Sequence, residues 1–177
     1  MDLKIAPTSQ RKLSMIRFQT TLGDFTIELL NEEAPVSVEN FERYVREEFF
    51  DGLIFHRVIP GFMIQGGGMT PDMSQKSNHA PIKNEAANGV KNERGSLSMA
   101  RTNDINSATS QFFINLKDNE FLDHKPGSYG YAVFGKVVDG MDVIDQIAAV
   151  KTGRRRGHDD VPVEDVVIIS AREVAAN

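Results

Sequence analysis

Cysteine is absent from the chain, which removes disulfides, thiolate nucleophiles and sulfur-ligated metals at once. Its absence fits a reducing compartment, and the cytoplasm is the expected location. No apolar run approaches the roughly 18 residues of a membrane span, so no membrane association is expected. Basic excess is missing too. The net charge is −5 and the pI about 5.4, which leaves no electrostatic footprint for nucleic acid. The four histidines, His56, His79, His124 and His158, lack metal-ligand spacing. Gly66-Gly-Gly68 has no following Lys-Ser/Thr of a phosphate loop, and Gly95-Ser-Leu-Ser98 is not a nucleophile elbow. No serine has an activating base beside it. Arg154-Arg-Arg156, followed by His158-Asp-Asp160, reads as a solvated loop that pairs its own charges. Neither a metal nor a cofactor is expected, so any catalysis must come from binding and electrostatics.

What is present reads as a mainly β fold. The 177 residues, 40% of them hydrophobic, make one domain able to bury about two-thirds of its unfolded surface. Residues 1–14 are polar, contain Pro7 and lack the apolar block of a secretory signal. They are expected to form a flexible extension to a domain over residues 15–177. From Ile16 the period is two: Ile16, Phe18, Phe25, Ile27 and Leu29 alternate with polar residues around the turn Thr21-Leu-Gly-Asp24, which predicts a hairpin. Ala34-Pro35 opens a helix in which Val38, Phe41 and Val45 share a face. Further strands are predicted at Leu53–Val58, Phe62–Gln65, Leu97–Arg101, Phe112–Leu116, Ala132–Val138 and Val166–Glu173, with a second helix over Met141–Val150. Many short strands and two isolated helices predict a closed antiparallel barrel with helices at its ends. Residues Gly66–Gly95, rich in Gly, Asn, Pro and Lys, read as an ordered surface loop.

The chemistry concentrates in Phe55-His-Arg-Val-Ile-Pro-Gly-Phe-Met-Ile-Gln-Gly-Gly-Gly68 and Ser110-Gln-Phe-Phe-Ile114. One cation, Arg57, and two amides, Gln65 and Gln111, stand among aromatic, aliphatic and glycine residues. One reaction suits a shallow apolar pocket with an arginine at its edge. Rotation about a peptide bond preceding proline breaks no bond and meets a barrier of about 18–20 kcal/mol. A guanidinium near the prolyl nitrogen would hydrogen-bond its lone pair only as the amide twists, which is the differential binding catalysis requires. The plainer readings stand beside this one. Taken singly, Phe62, Met63, Phe113 and Leu122 read as barrel core, Arg57 as a surface ion-pair partner, and Gln65 and Gln111 as satisfying barrel backbone.

In order along the chain, Phe55–Gly68, Gly95-Ser-Leu-Ser-Met-Ala100, Ser110–Ile114, Phe121-Leu-Asp123 and Val133-Phe-Gly-Lys-Val137 resemble the cyclophilins, from about Met15 to Val174. The resemblance implies an eight-stranded barrel capped by two α-helices and cofactor-free peptidyl-prolyl cis–trans isomerase (rotamase) activity in protein folding. It implies that Arg57 is the catalytic arginine and that Phe62, Met63, Phe113 and Leu122 form the proline pocket. Gln65 and Gln111 would orient the substrate or the arginine, and Ala100 and Arg101 would grip the peptide backbone. His56 would have a supporting role. The alternative is a non-catalytic proline-peptide binding or chaperone module using the same groove.

The chain departs from the eukaryotic members in ways that point to the bacterial cytosolic type. Phe121 stands where many of them have tryptophan, a residue this chain lacks altogether. Losing the indole N–H predicts weak cyclosporin binding with activity retained. Tyr131 replaces a rim histidine, and Thr102–Thr109 follows a different pattern. The expected partners are proline-containing peptides and unfolded or flexible segments, and a monomer is expected.

Overall fold

In the computed structural model, which describes residues 15–174, the period-two run after Met15 forms β1 (Met15–Thr20) and β2 (Gly23–Leu29), paired as the predicted hairpin. Helix α1 (Pro35–Arg46) follows, with proline in its first turn, where a missing N–H does no harm. Then come β3 (Ile54–Ile59), β4 (Met63–Met69), β5 (Ser96–Met99), β6 (Phe112–Asn115) and β7 (Val133–Asp139). Helix α2 (Met141–Ala148), the hairpin β8 (Thr152–Arg155) and β9 (His158–Pro162), and β10 (Ile168–Glu173) complete the chain. The extension expected over residues 1–14 lies outside the described residues.

Eight strands form one antiparallel sheet in the order β10-β1-β2-β7-β5-β6-β4-β3. Its two edges curl together, but the seam is thinner than a full ladder. It consists of the bridge Ile54↔Val167 and the bonds Gly52 N–H to the Ile168 carbonyl (2.8 Å), Ile168 N–H to Leu53 (2.8 Å) and Phe55 N–H to Val166 (3.0 Å). The bidentate pair of Arg172 with Asp51, at 2.9 and 2.7 Å, lies beside it. The barrel is therefore closed by a few bonds, and "closed" slightly overstates it.

Inside, one cross-strand row runs through Val58, Ile64, Ile114, Leu97, Gly135 and Leu29. Phe18 stacks on Phe25 at 4.9 Å, while Phe41 from α1 meets Phe134 at 5.0 Å and Phe50 at 5.1 Å. Each such ring contributes roughly 1.5–3 kcal/mol of burial. Helix α2 seals its side with Val143, Ile144, Ile147 and Ala148. Gly140 starts that helix at φ +86°, and a Cβ there would sit 2.5 Å from the Asp24 carbonyl, so the α2–β2 approach requires glycine.

The charged segment near the C-terminus is not the self-paired loop its composition suggests. It is the hairpin β8–β9, with Arg155 opposite His158 around Arg156 (φ 47°) and Gly157 (φ 81°), as in a primed two-residue turn. Arg155 pairs with Asp165 at 2.6 Å and bonds the Pro71 carbonyl at 2.9 Å. Val161 of β9 packs with Ile54 and Met73, which fastens the hairpin to the barrel wall. Within Gly66–Gly95, the first residues belong to β4 and the remainder is an ordered loop with one 3-10 turn at Ala86–Asn88.

Candidate active site

Alternation alone would put Phe55 and Arg57 on the same face of β3. The register instead skips a residue: Phe55 pairs with Gly66 and Arg57 with Gln65, so His56 is the extra residue of a β-bulge. The bulge lets Phe55 point into the core while Arg57 points outward, the re-aiming such bulges provide. Arg57 is exposed, and its outward row continues through Gln65, Phe113 and Ser98.

On that outer face Met63, Phe113 and Leu122 form a hydrophobic cluster separate from the main core, with Ile59, Phe62, Ala100 and Tyr131 packed against it. The reading of these side chains as barrel core is thereby set aside. They surround a pocket of about 130 Å³ whose lining adds Arg57, Gln65 and Arg101. Phe62, which alternation left open, comes from the β3–β4 turn. The space suits one small ring, and the lining includes no carboxylate.

The remaining predicted residues sit around this pocket in distinct ways. Gln111 lies behind Gln65, whose Nε2 donates to Gln111 Oε1 at 2.9 Å; among the described residues this bond joins the two amides to each other rather than to the barrel backbone. The Gln111 carbonyl accepts from Ala100 N–H at 3.0 Å. Arg101 is pinned, with Nε and Nη2 donating to the Gly130 carbonyl at 3.2 and 3.0 Å and its guanidinium 4.5 Å from the Tyr131 ring. Tyr131 in turn meets Phe113 edge-on at 5.6 Å. Phe121 is 56% exposed and stacks on Phe62 at 5.6 Å, so it forms the rim. His56 does not reach the pocket lining. It is buried, its Nδ1 has no hydrogen-bond partner among the described residues, and burial, with smaller effects from His158 and Arg57, pushes its pKa down to about 4. It is a neutral residue beneath the arginine.

A buried polar network behind the pocket escaped sequence reasoning. Asn92 Nδ2 reaches the Leu122 carbonyl (3.2 Å), Asp123 Oδ1 (3.1 Å) and the Tyr131 carbonyl (3.3 Å), while its Oδ1 accepts from Ser98 Oγ (2.5 Å) and Asn115 Nδ2 (3.1 Å). Asn119 Nδ2 donates to the Phe62 carbonyl (3.0 Å) and to Asn115 Oδ1 (2.8 Å). These asparagines tie the Phe62 turn and the Asn119–Asp123 segment to the sheet. The signal available was an asparagine inside a strand pattern, Asn115, where an apolar residue belongs.

A larger cleft of about 380 Å³, lined by Asn92, Glu93, Asp118 and Glu120 among others, is polar and of mixed charge, and it lies off the outward row. Among the described residues, no group of three or more His, Cys, Asp or Glu is placed to hold a metal, and no helix is long and apolar enough to cross a membrane.

Residues 15–173 match the family described as cyclophilin type peptidyl-prolyl cis-trans isomerase. The chain is 58% identical over 163 residues to peptidyl-prolyl cis-trans isomerase cyp18 of Streptomyces antibioticus, covering 90% of this chain and 98% of that one. It is 56% identical over 159 residues to peptidyl-prolyl cis-trans isomerase B of Escherichia coli K12, covering 88% and 97%. The crystal structure of a Cryptosporidium parvum cyclophilin type peptidyl-prolyl cis-trans isomerase superposes with a TM-score of 0.81 at 26% identity, over 93% of this chain and 99% of that one. A structure of that protein in the presence of the dipeptide Ala-Pro gives 0.79 at 26% identity, over 92% and 99%.

Proposed function

The chain belongs to the cyclophilin-type peptidyl-prolyl cis–trans isomerases, and from that premise we propose that Arg57 is its catalytic residue and the pocket beside it the proline site. Its activity is rotation about Xaa-Pro bonds, which assists folding steps that otherwise last tens to hundreds of seconds.

The carrying observation is the exposed guanidinium of Arg57 beside an apolar pocket of about 130 Å³. The pyrrolidine ring enters among Phe62, Met63, Phe113 and Leu122, where it leaves water. Ala100 and Arg101 hold the extended substrate backbone, with Phe121 and Tyr131 covering its flanks. Arg57 then donates to the prolyl nitrogen. In a planar amide that lone pair is delocalised and a poor acceptor; as the bond twists it localises, and the hydrogen bond strengthens. Gln65, held by Gln111, faces the same space and orients the substrate or the arginine. His56 supports the site from below as the bulge residue that turns Arg57 outward. No group is needed to accept or give up a proton.

The same reading gives the partners as proline-containing peptides and flexible segments of unfolded chains, with no nucleic acid or membrane surface among them. It also includes weak cyclosporin binding, a monomer, and a cytoplasmic location, which a chain without cysteine fits.

Isomer-specific proteolysis of an Xaa-Pro peptide tests the assignment. A hydrogen bond to a charged donor is worth about 1.5–3 kcal/mol, so Arg57→Ala is expected to lower kcat/KM roughly 10- to 150-fold. The melting temperature should stay near wild type, because the side chain is exposed. A variant that keeps more than half the activity would remove Arg57 from the catalytic role.

A further inference from the structure

Three consecutive glycines run through the second half of β4, and the third is glycine for a different reason from the first two. A Cβ on Gly66 would lie 2.9 Å from the Phe55 ring and 3.0 Å from the Ile54 carbonyl. On Gly67, at φ +95°, it would lie 2.8 Å from the Phe112 ring and 2.9 Å from the Ser110 carbonyl. Both positions meet core rings and backbone, so both serve the barrel.

Gly68 is different. Its three nearest atoms all belong to the Gln111 side chain: Cγ at 2.5 Å, Nε2 at 2.7 Å and Cδ at 2.9 Å. Its φ lies outside the left-handed region, so the backbone itself would accept an alanine. What keeps the position bare is the Gln111 side chain, whose Cγ and carboxamide lie against Gly68 and whose Oε1 accepts the 2.9 Å bond from Gln65. Gln65 is the cross-strand partner of Arg57.

We infer that Gly68 is a positioning residue for the isomerase reaction: its missing side chain is the seat that holds Gln111 against Gln65 beside Arg57. This rests on the reading of the Arg57 pocket as the catalytic site. A methyl group at position 68 moves a flexible side chain, not backbone, so the barrel adjusts by swinging Gln111 away. Gln65 then loses the partner that its side chain has among the described residues, and with it its fixed orientation, while the apolar pocket that holds proline keeps its shape. The loss should therefore fall on kcat and spare KM.

The test measures kcat, KM and melting temperature for wild type, Gly68→Ala, Gln111→Ala and the double variant. Gly68→Ala is expected to lower kcat about three- to tenfold, the weight of one oriented hydrogen bond, with KM and melting temperature near wild type. In the Gln111→Ala background no carboxamide remains to displace, so adding Gly68→Ala should change neither rate nor melting temperature. A further loss in the double variant would make Gly68 a packing position and overturn the inference, as would an unaltered kcat in the single variant. If Gly68→Ala alone does not fold, the comparison of Gln111→Ala with the double variant still decides, since the two must be alike. An Arg57→Ala variant with full activity overturns the catalytic reading and this inference together, and is recognised by that separate measurement.

Discussion

Asn92→Ala should separate the scaffold's contribution to the pocket from that of the pocket residues. Asn92 is 1% exposed and holds five partners through its carboxamide, two of which are the backbone carbonyls of the pocket residues Leu122 and Tyr131. Truncation removes the acceptor of Ser98 Oγ, itself fully buried, and one of the acceptors of Asn115 Nδ2, which keeps Ser96 Oγ at 2.9 Å. Asp123 keeps the backbone N–H of residue 92 at 2.7 Å. One buried donor is thus stranded and several acceptors lose a bond. At about 1–3 kcal/mol for a stranded group and about 1 kcal/mol for a shared one, the expected loss is roughly 3 kcal/mol. That is within the 5–15 kcal/mol typical of a domain, so the variant should fold. With their anchor gone, Leu122 and Tyr131 should wander, and KM for an Xaa-Pro peptide should rise several-fold more than kcat falls. Urea denaturation at pH 7 reads the first effect and protease-coupled kinetics the second. A loss below 1 kcal/mol, or a destabilised variant with unchanged KM, would refute the view that this network holds the wall of the pocket beside Arg57.

Three other perturbations address separate parts of the molecule. Helix α1 lacks a side-chain cap of its own; Glu85 supplies one, accepting from Val36 N–H (3.2 Å), Ser37 N–H (2.6 Å) and Ser37 Oγ (2.8 Å), so Glu85→Ala should cost about 1–2 kcal/mol in a denaturant melt, with Glu85→Gln intermediate. Burial depresses the His56 pKa from 6.5 to about 4, so the unfolded chain takes up this proton first; stability complete above pH 6.5 should fall toward pH 4 by about 3 kcal/mol. If the urea midpoint of His56→Gln falls as steeply as wild type between pH 7 and 4.5, the histidine is not responsible. Phe121→Trp adds an indole N–H to an exposed ring on the pocket rim, and calorimetry should find cyclosporin bound about three- to tenfold more tightly than by wild type; equal affinity would show that the rim donor is immaterial.

Sequence reading reached far where a residue's surroundings are local or its motif is long. The alternation after Met15, the Pro35 start of α1 and the apolar face of α2 each gave an element close to its observed bounds. The residues of Phe55–Gly68 and Ser110–Ile114 do converge, because β4 and β6 are neighbours and set Gln65 opposite Phe113. The misses have physical causes. The β8–β9 hairpin carries charge on both faces and turns at Arg156-Gly157 without the usual asparagine, so neither period nor turn announced it. The network of Asn92, Asn115 and Asn119 joins three distant segments, and isolated asparagines read as turn residues. The reason for Gly68 lay 43 positions away, in the side chain of Gln111.

The bulge at His56 explains how one short strand serves both the core and the site. Without an extra residue, a strand that buries Phe55 would also bury Arg57, and a guanidinium inside this ring of phenylalanines would lack water and a counter-charge. With it, Phe55 and Val58 stay in the core while Arg57 turns outward beside Gln65. The arrangement has a consequence for His56 itself. The bulge residue must sit where the ladder is broken, under the arginine and near His158, which is why it is buried and held neutral. A charge at that position would repel Arg57 and draw water to the break, so the acid-side loss of stability predicted for His56 and the outward aim of Arg57 follow from the same extra residue.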